Sequence, residues 1–366
     1  MIVPMSEQID SIHADVAVIG AGPAGAAAAI HAARAGHDTV LIDASPFPRD
    51  KTCGDGLTPR AMHQLDLLGI EVNASYRNRG LKLHGFGGSV TAPWPTTYPS
   101  QEGTALPRYE FDALLVTAAQ DAGARLVTGT ATDPQLTGNR LTSFAVDQQR
   151  VRAKWVIVAD GVRSTFGKQL GRQWHRDEVY GIAARAYADS PHDDEEWMHS
   201  HVELKDSDGI VQPGYGWIFP LGQGVNIGLG ALSTAARPAR LNTKKALNFY
   251  ADQQRADWAL GELRDVTSAM LPMGGAVSGV AGANWMLIGD AAACVNPLNG
   301  EGIDYGLETA ALAVDMLGTK DLTLAWPDRL RAEYGEAFLL ARTAARLLTY
   351  PQFLPLAGPV AMRGPV

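Results

Sequence analysis

Gly20-Ala21-Gly22-Pro23-Ala24-Gly25 and, farther on, Asp43 have the types and spacing that hold a dinucleotide. In such a turn Gly20 permits a sharp reversal, Gly22 lets the backbone approach a pyrophosphate, and Gly25 lets the next helix pack close to a sheet. Pro23 and Ala24 open that helix, whose N-terminal N–H groups attract phosphate. Asp43 ends the run Val40-Leu41-Ile42-Asp43, where a carboxylate accepts hydrogen bonds from a ribose. A GxGxxG turn alone says little in a chain with 39 glycines. Here the apolar run Ala14-Asp15-Val16-Ala17-Val18-Ile19, the Ala-rich helix and the acidic strand end all fall at the right offsets.

Two distant segments say which nucleotide. Lys154-Trp155-Val156-Ile157-Val158-Ala159 leads into Asp160-Gly161, and Trp285-Met286-Leu287-Ile288 leads into Gly289-Asp290. The second is followed by Asn296-Pro297-Leu298-Asn299-Gly300-Glu301-Gly302-Ile303. A nicotinamide dehydrogenase has no need of this second pattern, whereas a flavoprotein does. Asp290 can reach a ribityl chain, and a helix opening at Gly300 to Gly302 can turn its positive end toward the flavin. That end stabilises the anion formed around N1 and O2 on reduction. The nucleotide is therefore read as FAD, with Asp160, Gly289, Asp290, Pro297, Gly300, Gly302 and Ile303 among its contacts.

These residues need a parallel sheet to position them, so the fold class is α/β. We expect a discontinuous Rossmann-like FAD-binding domain over residues 14–79, 106–178 and 276–325. Residues 107–122 read as a helix, with Phe111, Leu114, Leu115 and Ala118 at helical spacing. A strand-rich substrate domain is expected over 80–105 and 179–275, and a C-terminal helical segment over 326–366 with its last helix at 330–348. Residues 215–221 and 225–232 flank Gly222-Gln223-Gly224, which marks a hairpin.

Composition sets bounds. Of the 366 residues, 46% are hydrophobic and 19% charged, as in an ordered globular chain. The net charge of −8 argues against nucleic acid as a partner. Residues 1–11 lack the basic and apolar regions of a secretion leader, and Cys53 and Cys294 lack metal-ligand spacing, so a cytoplasmic protein is expected. His199 and His201 share a strand face without a third ligand, and no metal is expected. Asp193-Asp194-Glu195-Glu196 reads as a solvated loop. The nearly apolar stretch 347–360 leaves peripheral contact with a membrane face open.

With these residues collected, the chain resembles the geranylgeranyl reductase family, within the flavoprotein superfamily that also holds aromatic hydroxylases and halogenases. The glycine turn, Asp160-Gly161 and Gly289-Asp290 are common to the superfamily. Two segments are narrower: the cysteine loop Lys51-Thr52-Cys53-Gly54-Asp55-Gly56-Leu57-Thr58-Pro59-Arg60, and Gly214-Tyr215-Gly216-Trp217-Ile218-Phe219-Pro220, similar to a Tyr-x-Trp-x-Phe-Pro motif. Asp43 stands where many relatives have Glu, and Cys294 where a larger apolar residue is usual. The resemblance implies that Cys53, Gly54 and Arg108 touch the FAD, and that the reaction is saturation of C=C bonds in an isoprenoid or similarly apolar substrate.

That chemistry needs a hydride from reduced flavin and a proton on the neighbouring carbon. Cys53 is the candidate acid, because burial keeps a thiol protonated. Tyr215 is a phenol within a proton relay, and Tyr215, Trp217 and Phe219 alternate to form one aromatic wall for the substrate. An external electron donor, NAD(P)H or a redox protein, is expected, and with no second glycine turn in the right context the sequence does not say which. Two other readings stay open. One is a monooxygenase or halogenase tailoring a small metabolite, for which Lys51 and Lys82 are the lysines on offer. The other is a non-redox FAD scaffold for cyclisation.

Overall fold

The apolar run before the glycine turn, Ser11–Ile19, is the central strand of a seven-stranded sheet. Thr39–Asp43 and then Arg125–Thr128 add parallel on one side. Gln149–Val158 adds parallel on the other, and Trp285–Leu287 pairs with its far end. Arg140–Val146 and Ala131–Thr137 complete the sheet antiparallel. Side chains of a strand alternate between faces. Val16 and Val18 accordingly enter one core and Ala17 and Ile19 another. The computed structural model describes residues 11–363; residues 1–10, on which the reading of the N-terminus rests, and 364–366 lie outside the described residues.

Helix α1 (Pro23–Arg34) packs on this sheet through Ala26 to Ile30, all fully buried. Their small side chains bring the helix close to the strands, and Gly25 makes that approach feasible. A Cβ there would lie 1.7 Å from the Gly20 carbonyl oxygen. Gly20 itself has φ +97°, a conformation that favours glycine. Helix α2 (Pro59–Leu67) follows the cysteine loop, and α3 (Arg108–Asp121) matches the helix expected at 107–122. The short α4 (Thr165–Gln169) begins where Asp160 Oδ2 accepts from the Phe166 N–H at 2.8 Å.

A second seven-stranded sheet runs in the order Arg264–Pro272, Tyr180–Ala188, Val225–Ser233, Gly214–Pro220, Met198–His201, Gly80–Gly85, Gly88–Pro93. Its hairpin is the one marked by Gly222 to Gly224. Asp193 is not merely solvated as expected: its carboxylate and carbonyl accept from the N–H groups of Gly224 and Gly222 and fix that turn. The stretch read as strands also contains α5 (Thr243–Trp258), which went unanticipated. Its apolar stripe Leu247, Tyr250 and Ala251 is narrow, and it covers the outer face of the sheet at Ala184, Ile227 and Leu229.

After α6 (Ile303–Asp315), the C-terminal segment departs from expectation. The helix placed at 330–348 starts earlier, as α7 (Leu322–Leu348), with Asp321 capping it through the Thr323 N–H. Pro327 lies in its second turn, which hid the true start, so the break set at 325/326 falls inside a helix. It is not the last helix either, since α8 (Phe353–Ala361) follows.

Candidate active site

Between the two sheets lies a cavity of about 1070 Å³. Ordinary ligand pockets hold roughly 300–1,000 Å³, so this one is large enough for a dinucleotide cofactor. All the site residues singled out in the sequence line it except Gly25, which stands behind the turn against Gly20.

At one end, the first turn of α1 presents Gly22, Pro23 and Ala24 to the cavity. Asp43 Oδ2 accepts from the Ala21 N–H at 2.7 Å, which draws the strand end and the glycine turn together. Arg108 is buried and bonded twice to Asp112, at 2.6 and 2.8 Å. Its Nη2 lies 3.7 Å from where a Gly22 Cβ would be, and Arg49 Nη2 lies 3.9 Å from the same point. Arg49, which the sequence reading passed over, pairs with both Asp43 and Asp112. Two guanidinium groups thus flank the glycine turn where a pyrophosphate would lie.

Farther along, Gly289 and Gly306 let α6 approach Ala24, whose Cβ would be 2.9 and 3.3 Å from an added carbon at each. Asp290 is partly buried, and desolvation raises its carboxyl above the usual range, with Lys51, Arg108 and Arg172 opposing. Asp160 Oδ1 is buried without a partner. Gly302 caps α6, and its missing Cβ points at Asp290 Oδ1 (3.1 Å) and Val295 rather than into the open cavity. A Cβ on Gly300, which has φ +76°, would stand 3.9 Å from the Tyr215 hydroxyl. N–H groups at two helix starts, two guanidiniums, the cavity-lining Asp43 carboxylate and an orphaned buried carboxylate oxygen form a donor and acceptor set that fits FAD.

The second sheet supplies the other wall. Tyr215, Trp217 and Phe219 line the cavity in a row, with ring centroids 6.0 and 6.1 Å apart. The glycines between and opposite them explain the row. A Cβ on Gly216 would strike the Tyr250 ring at 2.5 Å behind the sheet, and one on Gly228 would strike Trp217 at 2.1 Å. The cysteine loop lies directly over this wall: an added carbon on Gly54 would stand 3.2 Å from Phe219 and 3.5 Å from Trp217 Nε1.

One residue ties loop to wall. Asn226, fully buried, accepts from Trp217 Nε1 at 2.9 Å. It donates to the Cys53 carbonyl at 2.9 Å and to Asp55 Oδ2 at 2.8 Å. Asp55 also accepts from the Tyr187 hydroxyl at 2.7 Å, while its Oδ1 is buried without a partner. Burial pushes the Asp55 carboxyl up to about 6, against the pull of Tyr187, Asn226 and Arg185. The Cys53 thiol is raised by burial, with Arg108 beside it pulling the other way. The only sequence signal for Asn226 was a lone amide in the apolar run Val225–Ser233.

Other groups fall outside this assembly. Tyr215 donates to the Asn299 carbonyl at 2.5 Å, and its phenol is raised by burial. Glu301 and Asp304 line the cavity beneath it, with Arg60 held between Asp304 and Glu308. Lys82 belongs instead to a second, smaller pocket with His199 and His201. There His84 stacks between the two histidines at 5.0 and 4.9 Å. Among the described residues no group of three or more His, Cys, Asp or Glu is arranged to hold a metal.

Fold and site together define an FAD-dependent oxidoreductase. The profile of the FAD binding domain family matches residues 13–320. Over 358 residues the chain is 53% identical to a menaquinone reductase of Mycobacterium tuberculosis (strain ATCC 25618 / H37Rv), covering 96% of this chain and 88% of that one. It is 29% identical to digeranylgeranylglycerophospholipid reductase 1 of Methanopyrus kandleri, covering 91% and 90%. Its fold superposes with a TM-score of 0.80 on a geranylgeranyl bacteriochlorophyll reductase-like protein from Thermoplasma acidophilum, at 22% identity and over 93% and 88% of the chains. The chain belongs to the geranylgeranyl reductase family of FAD-dependent oxidoreductases.

Proposed function

We propose that this enzyme saturates a C=C bond in the prenyl side chain of a quinone or a similar polyprenyl lipid. The observation that carries the reading is the cysteine loop, with Cys53 lining the cavity, laid over an aromatic wall. Bound FAD in its reduced form supplies the hydride for one alkene carbon. Trp217 and Phe219 hold the prenyl unit flat and exclude water, and Cys53 gives its proton to the neighbouring carbon. Asn226 positions the cysteine loop through the Cys53 carbonyl, and Tyr215 lies along the same wall as a relay phenol.

In this reading Gly20, Gly22, Pro23, Ala24, Gly25, Asp43 and Arg108 hold the adenosine and pyrophosphate end. Asp160, Gly289, Asp290, Pro297, Gly300, Gly302, Ile303, Cys53 and Gly54 surround the flavin end. Residues 14–79, 106–178 and 276–325 serve the cofactor, and 80–105 with 179–275 serve the substrate. The electron donor is external, NAD(P)H or a redox protein, and the enzyme works in the cytoplasm at or near a membrane face. Among the described residues no helix is long and apolar enough to cross a membrane.

Anaerobic mixing of the reduced enzyme with menaquinone should reoxidise the flavin and give a product with one prenyl double bond saturated. Unreacted flavin across prenyl quinones and prenyl lipids would end the reading. A halogenase or monooxygenase reading has one observation in its favour, the partly buried, cavity-lining Lys51. Its ammonium lies 4.0 Å from where a Gly161 Cβ would be and has Asp290 as counter-charge, so it sits among the cofactor groups rather than at the aromatic wall. Oxygen uptake coupled to product would favour that second reading.

A further inference from the structure

Helix α8 carries no polar side chain anywhere in Phe353–Ala361. One side of it closes the substrate cavity with Phe353, Leu354 and Ala357. Gly358 seats it on the Phe86 ring, which a Cβ would approach to 2.3 Å. The opposite side is also apolar, yet it stands in solvent: Leu356 is 75% and Val360 72% exposed. Leu340, Leu347 and Tyr350 extend the exposed surface back along the end of α7. A helix apolar all round belongs inside a protein or a membrane, not half in water.

Along this end of the chain the charge is one-sided, and a neighbouring carboxylate, Glu203, is engaged by the Phe86 N–H and Lys205. From Ala337 to Arg363 there are three arginines, Arg342, Arg346 and Arg363, and no carboxylate, in a chain of net charge −8. Arg237 adds a fourth guanidinium, stacked 4.0 Å over Tyr350. A two-fold pairing of two copies through this face would bring two arginine-bearing faces together. An anionic lipid surface complements them instead, at about 1 kcal/mol per cation near the headgroups.

We propose that the outer face of α8 and the end of α7 dock on an anionic bilayer, with the inner face of the same helix as the wall between acyl chains and the substrate cavity. This deepens the polyprenyl-lipid reading and rests on it for the purpose of the docking, but not for its test, since vesicle binding needs no turnover.

The holoenzyme should float with vesicles of phosphatidylcholine and phosphatidylglycerol, and more weakly with phosphatidylcholine alone or at high salt. The Leu356→Glu/Val360→Glu double variant should partition roughly tenfold or more weaker, the scale expected for two aliphatic side chains removed from a bilayer interface. Bound FAD, melting temperature and turnover of a short-chain, water-soluble prenylquinone should stay as in the wild type. Arg346→Glu/Arg363→Glu should abolish the preference for phosphatidylglycerol. Absence of flotation with either vesicle, or equal flotation of the Leu356→Glu/Val360→Glu variant, overturns the proposal. So does a dimer in sedimentation that this same variant dissociates, because the face then belongs to a second copy.

Discussion

Cys53→Ala tests the proposed chemistry most directly. The substitution removes only Sγ, because the Asn226 bond that holds the loop goes to the Cys53 carbonyl and survives. Loop, wall and FAD should therefore keep their places. What is lost is a proton that burial holds on the sulfur at neutral pH. The nearest replacements are poor. Tyr215 is already donating to the Asn299 carbonyl and is a weaker acid than usual, and Asp55 is fully buried in its contacts with Tyr187 and Asn226. Loss of a general acid typically slows a reaction by roughly 10²–10⁴-fold, equal to roughly 3–5 kcal/mol of barrier. The apolar aromatic wall, which excludes a substituting water, favours the upper half of that range. Anaerobic single-turnover formation of the saturated product from a prenylquinol, followed by mass spectrometry, isolates the step from electron supply and from direct oxidation of the flavin by a quinone ring. A Cys53→Ala enzyme with full FAD and a rate of product formation within threefold (roughly 0.7 kcal/mol) of wild type would refute the assignment.

Three further outcomes follow from the geometry. Gly25→Ala should yield protein with most of its FAD missing, because a Cβ 1.7 Å from the Gly20 oxygen forces α1 away from the turn; full occupancy by absorbance would contradict it. Gly302→Val should lower FAD occupancy or the flavin midpoint potential by crowding Asp290 and Val295 at the start of α6, and an unaltered spectrum and potential would remove that helix from the flavin. Asp55 has a folded pKa of about 6, above its ordinary 3.8, so the native state binds its proton more tightly than the unfolded chain and loses stability as pH rises between these values. Asp55→Asn should remove on the order of 3 kcal/mol of that decline, read as a smaller drop in urea midpoint between acid and neutral pH than in wild type; parallel curves would contradict it.

The sequence alone determined what depends on local backbone geometry. The glycine turn, the acid at the end of Thr39–Asp43 and the helix at Arg108–Asp121 are spacings along one strand or helix, and such spacings read directly. So was the aromatic wall, since Tyr215, Trp217 and Phe219 share a face by strand alternation alone. Tertiary structure decided what depends on two segments meeting. Asn226 is an unremarked amide until the cysteine loop crosses over it, and Asp55 is a loop acid until Tyr187 and Asn226 bury it. Arg49 counts only because the chain returns it to Gly22, and His84 only because Gly80–Gly85 pairs beside Met198–His201. The end of the chain shows the same limit. The apolar stretch was legible, but that α8 shows one face to the cavity and the other to solvent follows from its packing on Phe86, a contact that no local pattern encodes.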